Sequence, residues 1–163
     1  MRFQGEVLSV AALLDAARST PATAPSYGVG LRHTAAQNAA ACRTLLGDGE
    51  SLDECWRFGI LQTLDDYSSA LLRGGPGLAS QVFAVEPPLT GSEEMDAAFA
   101  ALAEYLAERD DWPVPAWAQN SSRRSATWYP AVPEIFHADA DRESPAAFRR
   151  RGILITSRSL ARA

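Results

Sequence analysis

Four side chains in this sequence have the types needed for nucleophilic catalysis: Cys42, Cys55, His33 and His137. A catalytic cysteine needs a histidine close in space to take its proton, and the sequence alone does not place either histidine beside a thiol. The cysteines also lack a second pair of ligands at the spacing of a zinc site. We predict that both thiols are buried, with no catalytic residue and no metal ligand; a catalytic cysteine is the alternative.

Glycine-rich and acid-rich stretches do not complete a ligand-binding motif. GVG at 28–30 and GGPG at 74–77 lack the preceding strand and the lysine or third glycine of a phosphate loop. DADRE at 139–143 alternates acids like the start of a calcium loop, but Arg150 stands where the bidentate glutamate should be. We therefore predict no cofactor, and a protein that is not an enzyme.

Charge is distributed unevenly along the chain. All fifteen basic residues are arginine, and the net charge is −5. Residues 1–141 carry nine arginines against nineteen acids, whereas residues 142–163 carry six arginines against one acid. An acidic body disfavours non-specific nucleic-acid binding, which needs a clustered basic surface. It favours a basic protein partner, although nucleic acid remains possible.

Length and hydropathy indicate one domain, residues 1–163, with a possible sub-boundary in the linker-like stretch TPATAPSYGVG near 20–30. No apolar run approaches the roughly 18 residues of a membrane-spanning helix. Glu6 and Asp15 interrupt the apolar N-terminal stretch, which is more typical of an amphipathic helix than of a signal peptide. We expect a cytoplasmic protein that does not enter a membrane.

Apolar spacing predicts two helices in the first third of the chain. Ser9 is a plausible N-cap for a helix that runs to about Ser19. HTAAQNAAACRTLLGDG predicts a second helix, stopped by Gly47 and Gly49. The apolar stripe of the first helix consists of Val10, Leu13, Leu14 and Ala17.

Two longer helices follow. In SLDECWRFGILQTLDDYSSALLRGG, Ser51 and Glu54 form a capping box, and Gly74 stands where a C-terminal cap is expected. SEEMDAAFAALAEYLAERDD begins with acids that complement the helix dipole. GLASQVFAVEPPLTG, between them, could be a short helix or a strand. The apolar stripes are Trp56, Ile60, Leu64, Tyr67 and Leu71 in the first helix and Met95, Phe99, Leu102 and Leu106 in the second.

After residue 111 the sequence interleaves proline with tryptophan and shows no helical or strand period. Trp112, Trp117 and Trp128 are too apolar to remain in water at low cost, so we expect this extended segment to lie on the helical body. The alternative is an exposed aromatic platform that stacks bases, which usually carries more interleaved basic residues than Arg123 and Arg124.

The C-terminal SPAAFRRRGILI predicts a short helix followed by a strand or extended run. Ser144 is the expected N-cap, Phe148 should point inward, and Gly152 should close the turn. Successive helical residues are about 100° apart, so Arg149, Arg150 and Arg151 cannot share one face. They either pair with the acidic body or contact a partner. The predicted fold is therefore mainly α, a compact helical domain with an extended Pro/Trp-rich segment and a short C-terminal helix–strand element.

From about Val85 to Ala163 the chain resembles the C-terminal region of actinobacterial antitoxin-like regulators encoded beside abortive-infection nucleotidyltransferase toxins. The pieces that carry the resemblance are the Pro-Leu-Thr-Gly entry to a helix, Pro-Ala-Trp, Trp-Tyr-Pro and Ser-Pro-Ala-Ala-Phe-Arg-Arg-Arg-Gly. The resemblance implies a non-catalytic antitoxin or regulatory subunit that binds and neutralises a basic toxin of nucleotidyltransferase type.

Those regulators commonly begin with a helix-turn-helix domain, and nothing before Val85 predicts one. A DNA-binding transcriptional regulator without a recognisable helix-turn-helix is the alternative. Because tryptophan and arginine dominate interface energies, the predicted partner-binding residues are Trp112, Trp117, Trp128, Arg149, Arg150 and Arg151.

Overall fold

A computed structural model describes residues 9–19, 31 and 33–161, and this part of the chain is mainly helical, as predicted. The possible boundary near 20–30 lies outside these residues. No helix among them is long and apolar enough to cross a membrane. In chain order the α-helices are α1 (Val10–Ser19), α2 (Ala35–Gly47), α3 (Leu52–Cys55), α4 (Gln62–Ala79), α5 (Glu93–Asp110), α6 (His137–Glu143) and α7 (Ala146–Arg149). A π-helical turn covers Trp56–Leu61, and 3₁₀ turns cover Ser80–Phe83, Ala116–Gln119 and Glu134–Phe136.

Side-chain hydroxyls fix the starts of the main helices. Ser9, Ser51 and Ser92 each accept a hydrogen bond at 3.2 Å from the backbone N–H three residues later. Thr34 accepts from the N–H of Gln37 at 3.3 Å, and the Gln37 side chain accepts from the N–H of Thr34 at 2.9 Å. These bonds satisfy donors that have no partner inside the helix. The predicted cap at Ser9 is confirmed. Of the predicted capping box at Ser51 and Glu54, the bond from the Glu54 N–H to the Ser51 hydroxyl is present, and within the described residues the structure shows no return bond from the Glu54 side chain.

Helix α5 forms the centre of the core. Its predicted apolar stripe is fully buried, and so are most of its alanines. The π turn, the 3₁₀ turn at Ala116–Gln119 and α7 all contact it. Small alanine side chains allow these neighbours to approach closely, so α5 is enclosed on several sides. The buried stripe comprises Met95, Phe99, Leu102 and Leu106.

The helix predicted over 51–74 is interrupted by the π turn. A π turn bonds residues five apart and accommodates one extra residue, and here it keeps Trp56 and Ile60 buried while Phe58 points to solvent. A Cβ added at Gly59 would overlap Cys42 Sγ and lie 3.3 Å from Phe99 Cζ. Glycine therefore allows the turn to press against α2 and α5 at once.

The end of this helical stretch differs from the prediction by one residue. Gly75, not Gly74, has a positive φ of 68°, and it breaks α4 immediately before Pro76. The segment that could have been a helix or a strand forms the 3₁₀ turn Ser80–Phe83.

The Pro/Trp-rich segment lies on the helical body as expected, with Trp112, Trp117 and Trp128 partly buried against the core. Two predictions for the tail were wrong. Pro145, not Ser144, is the N-cap residue of α7. The Ser144 hydroxyl instead donates to Ala140 O at 2.7 Å and accepts from Ile155 N at 2.7 Å, since it serves the end of α6.

The predicted C-terminal strand is the second error. Among the described residues this run forms one isolated parallel bridge, between Trp128 and Ile153, and one further backbone hydrogen bond, from Ser125 N to Arg151 O at 3.0 Å, joins the two segments. Phe148 is fully buried and Gly152 has a φ of 82°, as the sequence predicts.

Replacing Gly59 with alanine should lower the free energy of unfolding by about 2 kcal/mol, because the new methyl overfills a closed contact. Adding Cys42→Ala to Gly59→Ala should recover part of this loss, since it removes the sulfur that the methyl meets.

Gly47→Ala is the matched control, because no atom lies within 4 Å of the added Cβ and Gly47 ends a helix without a positive φ. Urea denaturation of the variants measures the differences. A Gly59→Ala protein as stable as the Gly47→Ala protein would contradict the proposed close contact.

Candidate partner-binding surface

The predicted tryptophans separate into two clusters inside the fold. Trp112 Nε1 donates to the Tyr67 hydroxyl at 2.8 Å, and its ring stacks on Phe83 with centroids 5.9 Å apart. Trp117 Nε1 donates to the Phe83 carbonyl at 3.0 Å. Trp128 meets Trp56 edge-on at 5.8 Å. The structure therefore brings Trp112 and Trp117 together around Phe83 and places Trp128 elsewhere.

Tyr67 connects α4 to the end of α5. Its hydroxyl donates to Asp110 Oδ2 at 2.6 Å, and Arg109 binds the same carboxylate with two N–H groups. The bond from Arg109 lowers the pKa of Asp110, so this carboxylate stays charged. Burial raises the pKa of Tyr67 to about 12, so its hydroxyl remains a donor. These contacts give the network a structural role.

The three consecutive arginines extend in three directions, as their spacing predicts. Arg149 Nη2 donates to the carbonyls of Asp141, Arg142 and Ser144 at 2.9–3.2 Å, and so caps the end of α6. Arg150 pairs with Glu104 and Glu108.

Arg151 is buried, lies 2.8 Å from Glu104 Oε2 and donates to Ala118 O. All three guanidinium groups thus contact the chain's own acids or carbonyls. Arg149 and Arg150 stay exposed, and their role in partner binding remains a prediction.

A groove between α2 and the π turn offers an apolar surface that the tail does not. We call it the α2 groove; it is an open surface depression of about 720 Å³. Phe58 is its largest apolar side chain and is 50% exposed, which is unusual for phenylalanine. The sequence carried one signal for it, because Phe58 lies off the stripe of Trp56 and Ile60. The lining residues are His33, Gln37, Asn38, Ala41, Thr44, Leu45, Phe58 and Gln62.

A buried polar network holds one end of the groove in place. Asn38 Nδ2 donates to Thr63 Oγ1 at 2.9 Å and to Asp66 Oδ2 at 3.1 Å. Thr63 donates in turn to the carbonyl of Gly59 at 2.7 Å. Gln62 Nε2 donates to the other Asp66 oxygen at 3.3 Å. These bonds tie α2 to the π turn and α4, so the groove is largely preformed.

Residues 48–54, the acidic turn, border the other end of the groove. The N–H of Glu50 donates to the carbonyl of Leu45, a groove residue, at 3.0 Å. Asp53 is engaged, since it accepts from the N–H of Ala131 at 2.9 Å. Within the described residues, Asp48, Glu50 and Glu54 form no ion pair. The turn therefore offers negative charge beside an apolar surface.

The two cysteines contact each other, and in the part of the chain that the structure describes there is no hydrogen bond between either of them and a histidine. Cys42 and Cys55 are buried, so the predicted burial of both thiols is confirmed. His33 lines the groove, whereas His137 stacks on Tyr129 with ring centroids 3.7 Å apart. Among the described residues no group of three potential metal ligands occurs.

Burial raises the pKa of the Cys42 thiol to about 12, and burial also raises that of Cys55. At pH 8 the Cys42 thiolate should amount to about one part in ten thousand. We expect a thiol-specific reagent to modify neither cysteine in the folded protein and both in urea, as measured by mass spectrometry. Rapid native labelling of Cys42 would contradict this and revive a reactive-cysteine hypothesis.

Arg151→Ala should lower the free energy of unfolding by about 2 kcal/mol, because it removes the buried guanidinium that donates to Ala118 O and leaves Glu104 with Arg150 as its remaining ion-pair partner. Arg150→Ala is the matched control and should cost under about 1 kcal/mol, since its ion pairs are partly solvated. Urea unfolding checks the difference. Equal losses at the two positions would show that burial does not distinguish these arginines.

Comparison with family models, with curated proteins and with solved structures finds no match to this chain.

Proposed function

We propose that this chain is a non-catalytic antitoxin or regulatory subunit that binds and neutralises a toxin of nucleotidyltransferase type. The observation that carries the proposal is the half-exposed Phe58 in a preformed apolar groove, bordered by carboxylates that have no counter-ion in the described structure. Such a surface suits a protein partner better than a small polar substrate.

The chemistry of the groove suits one helix of the partner. An amphipathic helix binds in a groove through apolar side chains spaced three or four residues apart. Phe58, Ala41 and Leu45 would contact that apolar face. Arginine or lysine on the flank of the partner's helix would then meet Glu50, which follows the groove residue Leu45. The site therefore selects a basic amphipathic helix.

Charge supports a toxin that acts on nucleotides or tRNA. Such an enzyme needs a positive surface around its substrate, and an acidic protein can cover that surface. Complementary charge accelerates encounter and discriminates against wrong partners more than it adds affinity. In this chain the basic tail pairs with Glu104 and Glu108 on α5, so it does not neutralise the acidic turn. The turn remains available to a basic partner.

The arginines of the tail would have to carry the alternative of DNA binding. Arg149, Arg150 and Arg151 each contact a carboxylate or carbonyl of the same chain. Breaking those contacts would cost stability before any phosphate was bound. We therefore do not favour a DNA-binding role.

The test is co-purification of the tagged protein from its native host, with identification of bound proteins by mass spectrometry. We expect a basic nucleotidyltransferase-like protein in fixed ratio. With the purified partner, Phe58→Asp should weaken binding at least about 30-fold, since a central aromatic anchor contributes 2 kcal/mol or more. Glu50→Arg should weaken binding by a smaller factor and reduce its dependence on salt.

Leu72→Asp is the matched control. Leu72 is 90% exposed and does not line the groove, so its replacement should leave binding unchanged. Equal binding by the Phe58→Asp and Leu72→Asp proteins would remove the groove from the interface. Recovery of the tagged chain without such a partner would contradict the antitoxin assignment.

A further inference from the structure

We propose that α1 is a tethered ligand of the α2 groove, which it covers in the same chain until a partner displaces it. This inference deepens the proposed function and rests on the groove being the partner's site. In the structure the apolar side of α1 is exposed and α1 does not cover the groove. The proposed contact would bury the apolar side of α1 in the groove.

Helix α1 exposes the apolar side chains of Val10 and Leu14. Val10 is 74% exposed and Leu14 is 52% exposed, and every α1 side chain that the structure describes is exposed. A ten-residue helix is marginal in water on its own. The exposed ion pair between Asp15 and Arg18, at 3.5 Å, contributes little to its stability. Helix α1 therefore needs an apolar surface to remain helical.

The groove supplies such a surface. Val10 and Leu14 are four residues apart, so they project from the same side of α1. Ala41 and Leu45 have the same spacing on α2 and line the groove together with Phe58. A small residue such as Ala41 lets a second helix approach α2 closely. In the proposed contact, two anchors one turn apart on α1 would pack against two groove residues with the same spacing on α2.

The chain connection favours this contact within one molecule. Residues 20–33 join Ser19, the last residue of α1, to Thr34, the N-cap of α2. His33 and Gln37 line the groove, so the connection ends at its rim. The connection can span up to about 50 Å at roughly 3.4 Å per residue, which is enough for α1 to fold back. Tethering gives an effective concentration on the order of millimolar, so even a weak contact is populated.

Helix α1 would occupy the groove without providing a positive charge to pair with the acidic turn. Its one acid and one arginine pair with each other, so it brings no net charge to Glu50. A basic partner helix gains those contacts and can therefore displace α1. If α1 occupied the groove nine-tenths of the time, the apparent affinity for the partner would fall about tenfold. The contact would then act as an autoinhibitory device that only a basic helix overcomes.

Hydrogen exchange of the full chain tests the contact without any partner. We expect the amides of α1 to exchange at least about tenfold more slowly than they do in the Leu14→Asp and Phe58→Asp proteins. Ala12→Asp, on the opposite face of α1, and Leu72→Asp, outside the groove, are the controls and should keep the protection. Unchanged exchange of α1 in the Phe58→Asp protein would overturn the inference.

Dilution separates one chain from two. Protection of α1 that is unchanged over a tenfold dilution supports the contact within one molecule, whereas protection that falls on dilution assigns the groove to α1 of a second copy and overturns it. The partner assay is independent of both measurements. With a partner in hand, Leu14→Asp should bind up to about tenfold more tightly than the wild type. Failure to find any partner would contradict the proposed function, but it would not change the hydrogen-exchange result for the contact between α1 and the groove.

Discussion

The described structure depends on the place where Gly59 presses against α2 and α5. A side chain there would overlap Cys42 and crowd Phe99, so the backbone itself fills the space between the three segments. The π turn reaches this position by inserting one residue, which keeps Trp56 in the core and turns Phe58 outward. Burying a side chain as large as Trp56 contributes on the order of 3 kcal/mol, which offsets the poorer hydrogen bonding of a π turn. The same π turn therefore places Trp56 in the core and Phe58 in the groove.

A second constraint joins the C-terminal tail to α5 and to the Pro/Trp-rich segment. Arg151 pairs with Glu104 on α5 and donates to Ala118 O in the Pro/Trp-rich segment. Phe148 and Ile153, on either side of Arg151, are fully buried. The tail thus completes the core with apolar side chains and neutralises α5 with charged ones. Its basic composition reflects the acids that it covers.

Much of the fold follows from local sequence signals. Ser51 and Ser92 mark the starts of their helices in the sequence, because an N-cap bond joins residues only three apart. The inward stripe of α5 and the burial of the tryptophans follow from hydrophobicity alone. The π turn could not be predicted, since Trp56, Ile60 and the residues after them fit an α-helical period as well.

The candidate site was predictable only in part. The sequence shows that three adjacent arginines must diverge, but it cannot name Glu104 or Ala118 as their partners, because those residues are brought near by the tertiary fold. Phe58 was visible as an aromatic residue off the apolar stripe. That Phe58 lines a groove could not be predicted, because the opposite wall is formed by α2, which the tertiary fold brings near. At Ser144 a local signal gave a wrong prediction. The sequence there is typical of an N-cap, but the hydroxyl bonds to Ala140 and Ile155 instead.

The contacts between distant parts of the chain also set how this protein must fold. Trp128 meets Trp56, and Arg151 meets Glu104, across long stretches of sequence. Helical proteins usually fold quickly because most of their contacts are local. Here the individual helices can form early, whereas closure of the core waits for two loops to bring the Pro/Trp-rich segment and the tail onto α5. The kinetics should therefore resemble those of a mixed α/β domain more than those of a simple helical bundle.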